Sequence, residues 1–152
     1  MTETSYDIRT LNGLIATTLD SVDGYTEAAK EAKNSRYSSM FTARAEERRG
    51  VVTQLQAEVS RMGGNPEDDG TVLASAHRTF LDLKAAVTGN DDKAIVTEVE
   101  RGEDHIKAKF EAAIADDQVS QSVRAIIEHG FTSVRQGHDQ MRDLKHSLEG
   151  TN

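Results

Sequence analysis

The stretch that decides the fold is FTARAEERRGVVTQLQAEVSRM, residues 41–62. Its apolar residues recur at intervals of three and four, which is the period of an α-helix that buries one face. Arg48 interrupts this apolar stripe, seven residues after Phe41 and seven before Leu55. An unpaired charge inside a protein core is costly, so an arginine at this position requires an acidic partner.

A second helical stripe, within residues 91–115, carries a charge of the opposite sign. Glu103 lies seven residues after Val96 and seven before Phe110, so it also faces inward near the middle of its helix. Guanidinium and carboxylate groups form two parallel hydrogen bonds when their planes align. The sequence therefore predicts a buried Arg48–Glu103 ion pair.

The remaining periodicity predicts an all-α protein with a single domain over residues 1–152. The predicted helices span residues 4–32, 36–62, 71–87, 91–115 and 118–149, and Gly63-Gly64 ends the second of them. Short links make the first two long helices antiparallel, and likewise the last two. Residues 63–90 are numerous enough to cross the bundle. The predicted fold is a ferritin-like four-helix bundle, up-down with a long crossover that contains a short extra helix.

The composition excludes several classes of function. The net charge of -8 argues against nonspecific binding to nucleic acid or to anionic membranes. The chain has no cysteine, which excludes thiolate catalysis and cysteine-based zinc sites. We see neither an apolar run of about 18 residues nor a secretory signal at the start, so we expect no membrane association and a cytoplasmic location.

Each long helix carries a short motif that resembles helices of the ferritin superfamily. The motifs are Leu11-Asn-Gly-Leu-Ile15 with Tyr25, Phe41…Ala45-Glu-Glu-Arg48 with Leu55, Val99-Glu-Arg-Gly-Glu103-Asp104 with Phe110, and His138…Met141-Arg142. In this order, over residues 6–146, they resemble an uncharacterised bacterial family of ferritin-like four-helix-bundle proteins, a domain of unknown function. The resemblance weakly implies a role in bacterial stress physiology.

The same resemblance implies six positions at which members with an intact site hold two iron ions. Those members use Glu on the first helix, Glu-x-x-His on the second, Glu on the third and Glu-x-x-His on the fourth. In this sequence the positions carry Thr18, Arg48, Val51, Glu103, Arg135 and His138. Two divalent cations need several carboxylates, and only Glu103 and His138 keep a ligand type. We expect the di-iron site to be lost, leaving a central polar layer formed by Thr18, Arg48, Glu103, Arg135 and His138.

Our main hypothesis is a bundle protein without enzymatic activity that acts in interaction or assembly. No cofactor is expected for such a protein. A homodimer is the expected oligomer, with Tyr6, Tyr37 and Phe80 as candidate interface residues. The protein partner is not indicated by the sequence.

The second hypothesis is a redox protein with a mononuclear or degenerate metal centre. It would hold iron, manganese or zinc through Glu103 and His138, and Glu100 could lean in as a second carboxylate. The competing interpretation makes Glu103 part of a structural ion pair and His138 a histidine bonded within the bundle.

The third hypothesis is a small-molecule binder. Gly130 and Gly137 lie seven residues apart on the inward stripe of the last helix, where a cavity could form. The alternative is that both glycines make room for bulky neighbours such as Arg48 or Tyr25.

Overall fold

The computed structural model describes residues 3–69 and 92–149. Their regular structure is entirely α-helical and consists of α1 (Glu3–Glu31), α2 (Ser35–Arg61), α3 (Asp92–Ile114) and α4 (Gln121–Glu149). The predicted all-α four-helix bundle is confirmed for these residues. The short helix predicted over residues 71–87 lies outside the described residues.

The ends of α2 follow from capping residues. Asn34 has an extended backbone before α2, and its side chain accepts a hydrogen bond from the Arg36 N–H at 2.9 Å. At the other end Gly63 adopts a φ of 83°, a left-handed conformation that favours glycine. The N–H of Gly64 then donates to the Val59 carbonyl at 2.9 Å, which closes the helix end. The predicted stop at Gly63-Gly64 is therefore correct.

The start of α4 differs from the prediction by three residues, since it lies at Gln121 and not at residue 118. A turn precedes the helix, in which the Val119 N–H donates to the Asp116 carbonyl at 3.1 Å. Ser120 then caps the helix, because its Oγ accepts from the Val123 N–H at 3.4 Å. Val119 points inward, so in the sequence this turn has the apolar pattern of a first helical turn. The predicted start at residue 118 is wrong for that reason.

Contacts at both ends of the bundle show that α1 and α3 are antiparallel. Tyr6, near the start of α1, donates to Asp116, just beyond α3. At the other end of the bundle the N–H groups of Lys33 and Asn34 donate to the Asp92 carboxylate at 3.0 Å and 2.9 Å. Asp92 is the first residue of α3.

α2 and α4 are antiparallel as well. Arg44 in the first half of α2 donates to Gln140 in the second half of α4 at 2.7 Å, whereas Val51 packs beside Gly130, which comes earlier in α4. Because short links join α1 to α2 and α3 to α4, α2 and α3 run parallel. The end of α2 and the start of α3 therefore lie at opposite ends of the bundle.

The core contains two apolar clusters, and polar side chains lie between them. The cluster nearer the start of α1 includes Leu11, Ile15, Leu55, Phe110 and Ile127. The cluster nearer the end of α1 includes Tyr25, Phe41, Val96 and Met141. No helix in the described segments is long and apolar enough to cross a bilayer.

Candidate functional site

Arg48 and Glu103 form an ion pair at the centre of the bundle. Their exposed fractions are 0% and 2%. Nη1 of Arg48 donates to Oε1 of Glu103 at 2.8 Å, and Nη2 donates to Oε2 at 2.7 Å. This is the bidentate geometry in which arginine binds a carboxylate most strongly. The ion pair expected from the two stripes is present in the structure.

Neighbouring groups accept further hydrogen bonds from the two terminal nitrogens of the guanidinium. Nη1 of Arg48 also donates to Ser21 Oγ at 2.7 Å, and Nη2 donates to the Val134 carbonyl at 3.4 Å. Burial opposes the charged form of Arg48, but the charge and hydrogen bonds of Glu103 outweigh it and raise the arginine pKa. Arg48 is therefore a permanent positive charge inside the core.

Tyr25 lies against the ion pair. The Arg48 guanidinium carbon is 5.6 Å from the centre of the tyrosine ring, within the range of a cation–π interaction. Burial, and then the negative charge of Glu103, raise the pKa of Tyr25 well above 10. Within the described residues the Tyr25 hydroxyl and Arg48 Nε have no hydrogen-bond partner. The tyrosine therefore remains neutral, and its ring is its main contribution to the layer.

Thr18 and Gly137 enclose the ion pair from α1 and α4. Thr18 is completely buried and donates its Oγ1 hydrogen to the Leu14 carbonyl of its own helix at 2.6 Å. A Cβ at Gly137 would lie 2.4 Å from Arg48 Nη2 and 2.9 Å from Glu103 Oε2. The prediction that this glycine makes room for Arg48 therefore describes the structure.

Arg135 and His138 are predicted members of the central layer, and the prediction is wrong for Arg135. Gly137 faces the ion pair, so Arg135 is rotated outward and its side chain is exposed. His138 is buried at the edge of the bundle but does not contact the ion pair. Its Nε2 lies 2.7 Å from Asp104 Oδ1, and its Nδ1 lies 3.3 Å from Asp139 Oδ1.

A second polar cluster, which we call the flank cluster, consists of Glu100, Asp104 and His138. One ligand atom from each of these residues lies within 4.8 Å of the others. The predicted third member was Glu103, but its carboxylate faces inward and binds Arg48. Asp104 takes its place, and the signal for this was available, because residues four apart share a helix face.

Basic side chains neutralise part of the charge around the flank cluster. The Lys145 ammonium lies 3.4 Å from Glu100 Oε2, and the Arg142 guanidinium lies 3.5 Å from Asp139 Oδ1. A hydrogen bond from His138 is the largest cause of the lowered pKa of Asp139. Asp139 is therefore ionised and oriented towards the imidazole.

The donors at the bundle centre do not fit two iron ions. Of the six expected positions, Glu103 alone presents a carboxylate there, and both of its oxygens are bound to Arg48. The arginine adds a positive charge where two cations would need negative ligands. Thr18 is bonded to its own backbone, and Arg135 points outward.

The other predicted features are resolved by packing. A Cβ at Gly130 would lie 3.4 Å from Val51 and 3.5 Å from Phe110, so side chains fill the space where a cavity was considered. Of the candidate interface residues, Tyr6 donates to Asp116, and Tyr37 packs on the second apolar cluster. Phe80 lies outside the described residues.

The fold and the buried pair define an all-α four-helix-bundle protein with a charged centre. The chain belongs to the family described as domain of unknown function DUF2383, whose sequence pattern matches residues 7–116. The expected membership of an uncharacterised domain family is thereby confirmed. The match includes Arg48 and Glu103 and ends before α4. No functionally curated protein matches this sequence.

Proposed function

We propose that this protein is a ferritin-like bundle in which an ion pair has replaced the di-iron centre, and that it acts in interaction or assembly. Its action would depend on binding a protein, with a second copy of the chain as the first candidate. A cytoplasmic, stress-related role remains a prediction based on the resemblance.

The observation that carries this proposal is the position of Arg48. The guanidinium occupies the bundle centre with no exposed surface and binds both oxygens of Glu103. Two unit charges 4 Å apart interact by about 4 kcal/mol at an effective dielectric of 20, and a divalent cation doubles that repulsion from arginine. A di-metal centre is therefore disfavoured at this point both by charge and by the loss of free ligand atoms.

The directions of the helices support the ferritin-like part of the proposal. Antiparallel neighbours with a parallel α2 and α3 are the arrangement that one long crossover produces in ferritin-like bundles. The inward positions of Thr18, Arg48 and Glu103 in one layer are consistent with the level at which such bundles hold metal ions. Replacement of the iron ligands by the Arg48–Glu103 ion pair would have kept the bundle fold and removed the iron chemistry.

The loss of the di-iron centre can be tested by loading the Asp104→Asn variant with Fe(II), Mn(II) or Zn(II). This variant weakens the flank cluster and leaves the bundle centre unchanged. We expect this variant to retain well under the two equivalents of metal per chain that a di-iron centre would hold, because the bundle centre lacks free carboxylates. Retention of about two equivalents by this variant, with loss in Glu103→Gln, would overturn the proposal.

The assembly part can be tested on a groove where the first half of α2 meets α4. It is lined by Ser35, Arg36, Ser39, Met40, Ala43, Arg44, Glu47 and Gln140. Light scattering during size-exclusion chromatography, over a wide range of protein concentrations, should show a homodimer. Ala43→Glu should weaken it about tenfold or more, because it buries a charge at the interface.

Ala57→Glu is the matched control for this experiment, since Ala57 is also exposed on α2 but lies outside the groove. The control should leave dimerisation unchanged. A strict monomer at all concentrations would remove the homodimer from the proposal, and equal effects of the two variants would remove the groove.

A further inference from the structure

The flank cluster has the composition of a metal site. Glu100 and Asp104 lie four residues apart on α3, His138 faces them from α4, and their ligand atoms lie within 4.8 Å of one another. An imidazole nitrogen with two carboxylates is a donor set that suits borderline divalent metals such as zinc. We propose that Glu100, Asp104 and His138 bind one divalent transition-metal ion on the flank of the bundle.

The orientation of His138 supports this proposal. Its side chain is 11% exposed, its Nε2 faces Asp104 at 2.7 Å, and its Nδ1 faces Asp139 at 3.3 Å. Metal-binding histidines usually donate their second ring N–H to a carboxylate or carbonyl, which fixes the tautomer and the ring plane. Asp139 is placed to accept that hydrogen bond.

The 2.7 Å contact between His138 Nε2 and Asp104 Oδ1 is satisfied by a hydrogen or by a metal ion between the two atoms. With the ring hydrogen on Nε2, His138 donates it to Asp104; with the ring hydrogen on Nδ1, His138 donates it to Asp139 and turns the Nε2 lone pair towards Asp104. Two electron-rich atoms at 2.7 Å are stable only with a proton between them. A metal ion that replaced the proton would hold both atoms at about 2.1 Å and, in tetrahedral geometry, move them to about 3.4 Å apart. The Asp104 side chain is 57% exposed, so it is free to make this movement.

The charges around the cluster favour a divalent ion, with one competitor. Glu100 and Asp104 together would neutralise such an ion, and Arg142 already neutralises Asp139. The Lys145 ammonium lies 3.4 Å from Glu100 Oε2. It already offsets part of the negative charge that a metal ion would bind. Metal binding through Glu100 Oε2 would therefore displace Lys145 from that oxygen.

This site goes beyond the proposed function and is separate from the bundle centre. Both oxygens of Glu103 are bound to Arg48, whereas the side chains of Glu100, Asp104 and His138 have their described hydrogen bonds with Lys145, Asp139 and one another. Three protein ligands leave at least one coordination position for water, which is the arrangement of open zinc sites. The site could be present whether or not the protein assembles through the α2–α4 groove.

The first experiment is calorimetric titration of the untagged protein with Zn²⁺. We expect one ion per chain, with binding about tenfold or more weaker in His138→Gln and in Asp104→Asn. His105→Gln is the control, because His105 is exposed on α3 next to Asp104 but is not part of the cluster. Circular dichroism checks that each variant keeps its helices, and the Co²⁺-loaded protein should show absorption bands typical of low coordination number.

Two further variants give results that a nonspecific surface site would not. Lys145→Met should tighten Zn²⁺ binding several-fold, because it removes the competing ammonium. Asp139→Asn should weaken it by about tenfold to a hundredfold, although Asp139 does not touch the metal. Binding no tighter than millimolar, equal losses in His105→Gln and His138→Gln, or weaker binding in Lys145→Met would each overturn the proposal.

Discussion

Glu103 and Asp104 are consecutive residues on α3, yet they belong to two different polar clusters. The Glu103 carboxylate is 2% exposed and is held by Arg48 in the bundle centre. The Asp104 carboxylate is 57% exposed and faces His138 on the flank. One residue along a helix is a rotation of about 100°, which is enough to move a carboxylate from core to surface. The position on the helix, and not the residue type, therefore decides what each acid can do.

The two clusters also differ in whether a side chain can lose its charged partner without a large cost in stability. Removing one partner from the buried pair leaves an uncompensated charge in a medium of low polarity, so the pair must remain intact. On the flank, water can solvate Asp104 when its contact with His138 breaks, and the metal binding proposed above requires that freedom. The centre is therefore suited to structure and the flank to binding.

The strongest test of this contrast is Arg48→Met. It leaves Glu103 buried without a partner and should lower the free energy of unfolding by about 3–5 kcal/mol. The double variant Arg48→Met/Glu103→Leu should recover most of that loss, because both side chains are then apolar. Urea denaturation measures both. Equal stability of the single and double variants would show that the buried charge is not the cause of the loss.

The second test compares two helical glycines near the same level. Gly137→Ala places a Cβ 2.4 Å from Arg48 Nη2, and the fixed ion pair cannot move away cheaply. Overpacking costs about 1–3 kcal/mol and helix propensity returns about 1 kcal/mol, so we expect a net loss of up to about 2 kcal/mol. Gly102→Ala, with no atom within 4 Å of its Cβ, should gain up to about 1 kcal/mol.

Thermal or urea denaturation of the two glycine variants decides between these outcomes. If both substitutions stabilise the protein, Gly137 is not required for the close approach of the ion pair. The comparison also separates the effect of helix propensity from the effect of packing, because both glycines lie inside long helices.

The sequence was sufficient to predict the bundle and its central pair. Seven-residue spacings placed Arg48 between Phe41 and Leu55, and Glu103 before Phe110, and an α-helix converts such spacings directly into one face. The stop at Gly63 was also predictable, because a left-handed helix end favours glycine. The stripes and the helix end depend on the local sequence alone. The central pair requires in addition only that the two inward charges have opposite signs.

The sequence was insufficient where the rotation of one helix against another decides the contact. Arg135 is a different case, because it was assigned to the layer by analogy with a ligand position although the stripe of Val134 and Met141 on its own helix already points Gly137 inward. The meeting of Asp104 with His138 depends on how α3 and α4 are rotated towards each other. Periodicity within one helix does not contain that information.

The third test is Asp104→Asn, which removes one negative charge from the flank cluster. A chelator is present during the measurement, so that no metal ion is bound. We expect the free energy of unfolding to fall by less than about 1 kcal/mol, because water solvates the remaining partner of an exposed pair. Urea denaturation of Asp104→Asn and Arg48→Met under the same conditions compares the two losses of stability. Similar losses in the two variants would show that the flank is as structural as the centre.

The smallest effect is expected for Tyr6→Phe, which removes an ion-dependent hydrogen bond at the end of the bundle. Hydrogen bonding to Asp116 raises the Tyr6 pKa, and the same bond lowers the Asp116 pKa. A lowered carboxyl pKa stabilises the fold above the unfolded value of about 3.9, and this is lost as the pH falls further. A raised tyrosine pKa stabilises it below about 10, and this is lost as the pH rises.

The difference in unfolding free energy between wild type and Tyr6→Phe should therefore be constant around neutral pH and shrink at both extremes. Urea denaturation at a series of pH values measures it. Tyr37→Phe is the control, since the structure records no carboxylate partner for Tyr37 in the described residues. A difference that is independent of pH would mean that the Tyr6 hydroxyl stabilises the fold through packing and not through its hydrogen bond to ionised Asp116.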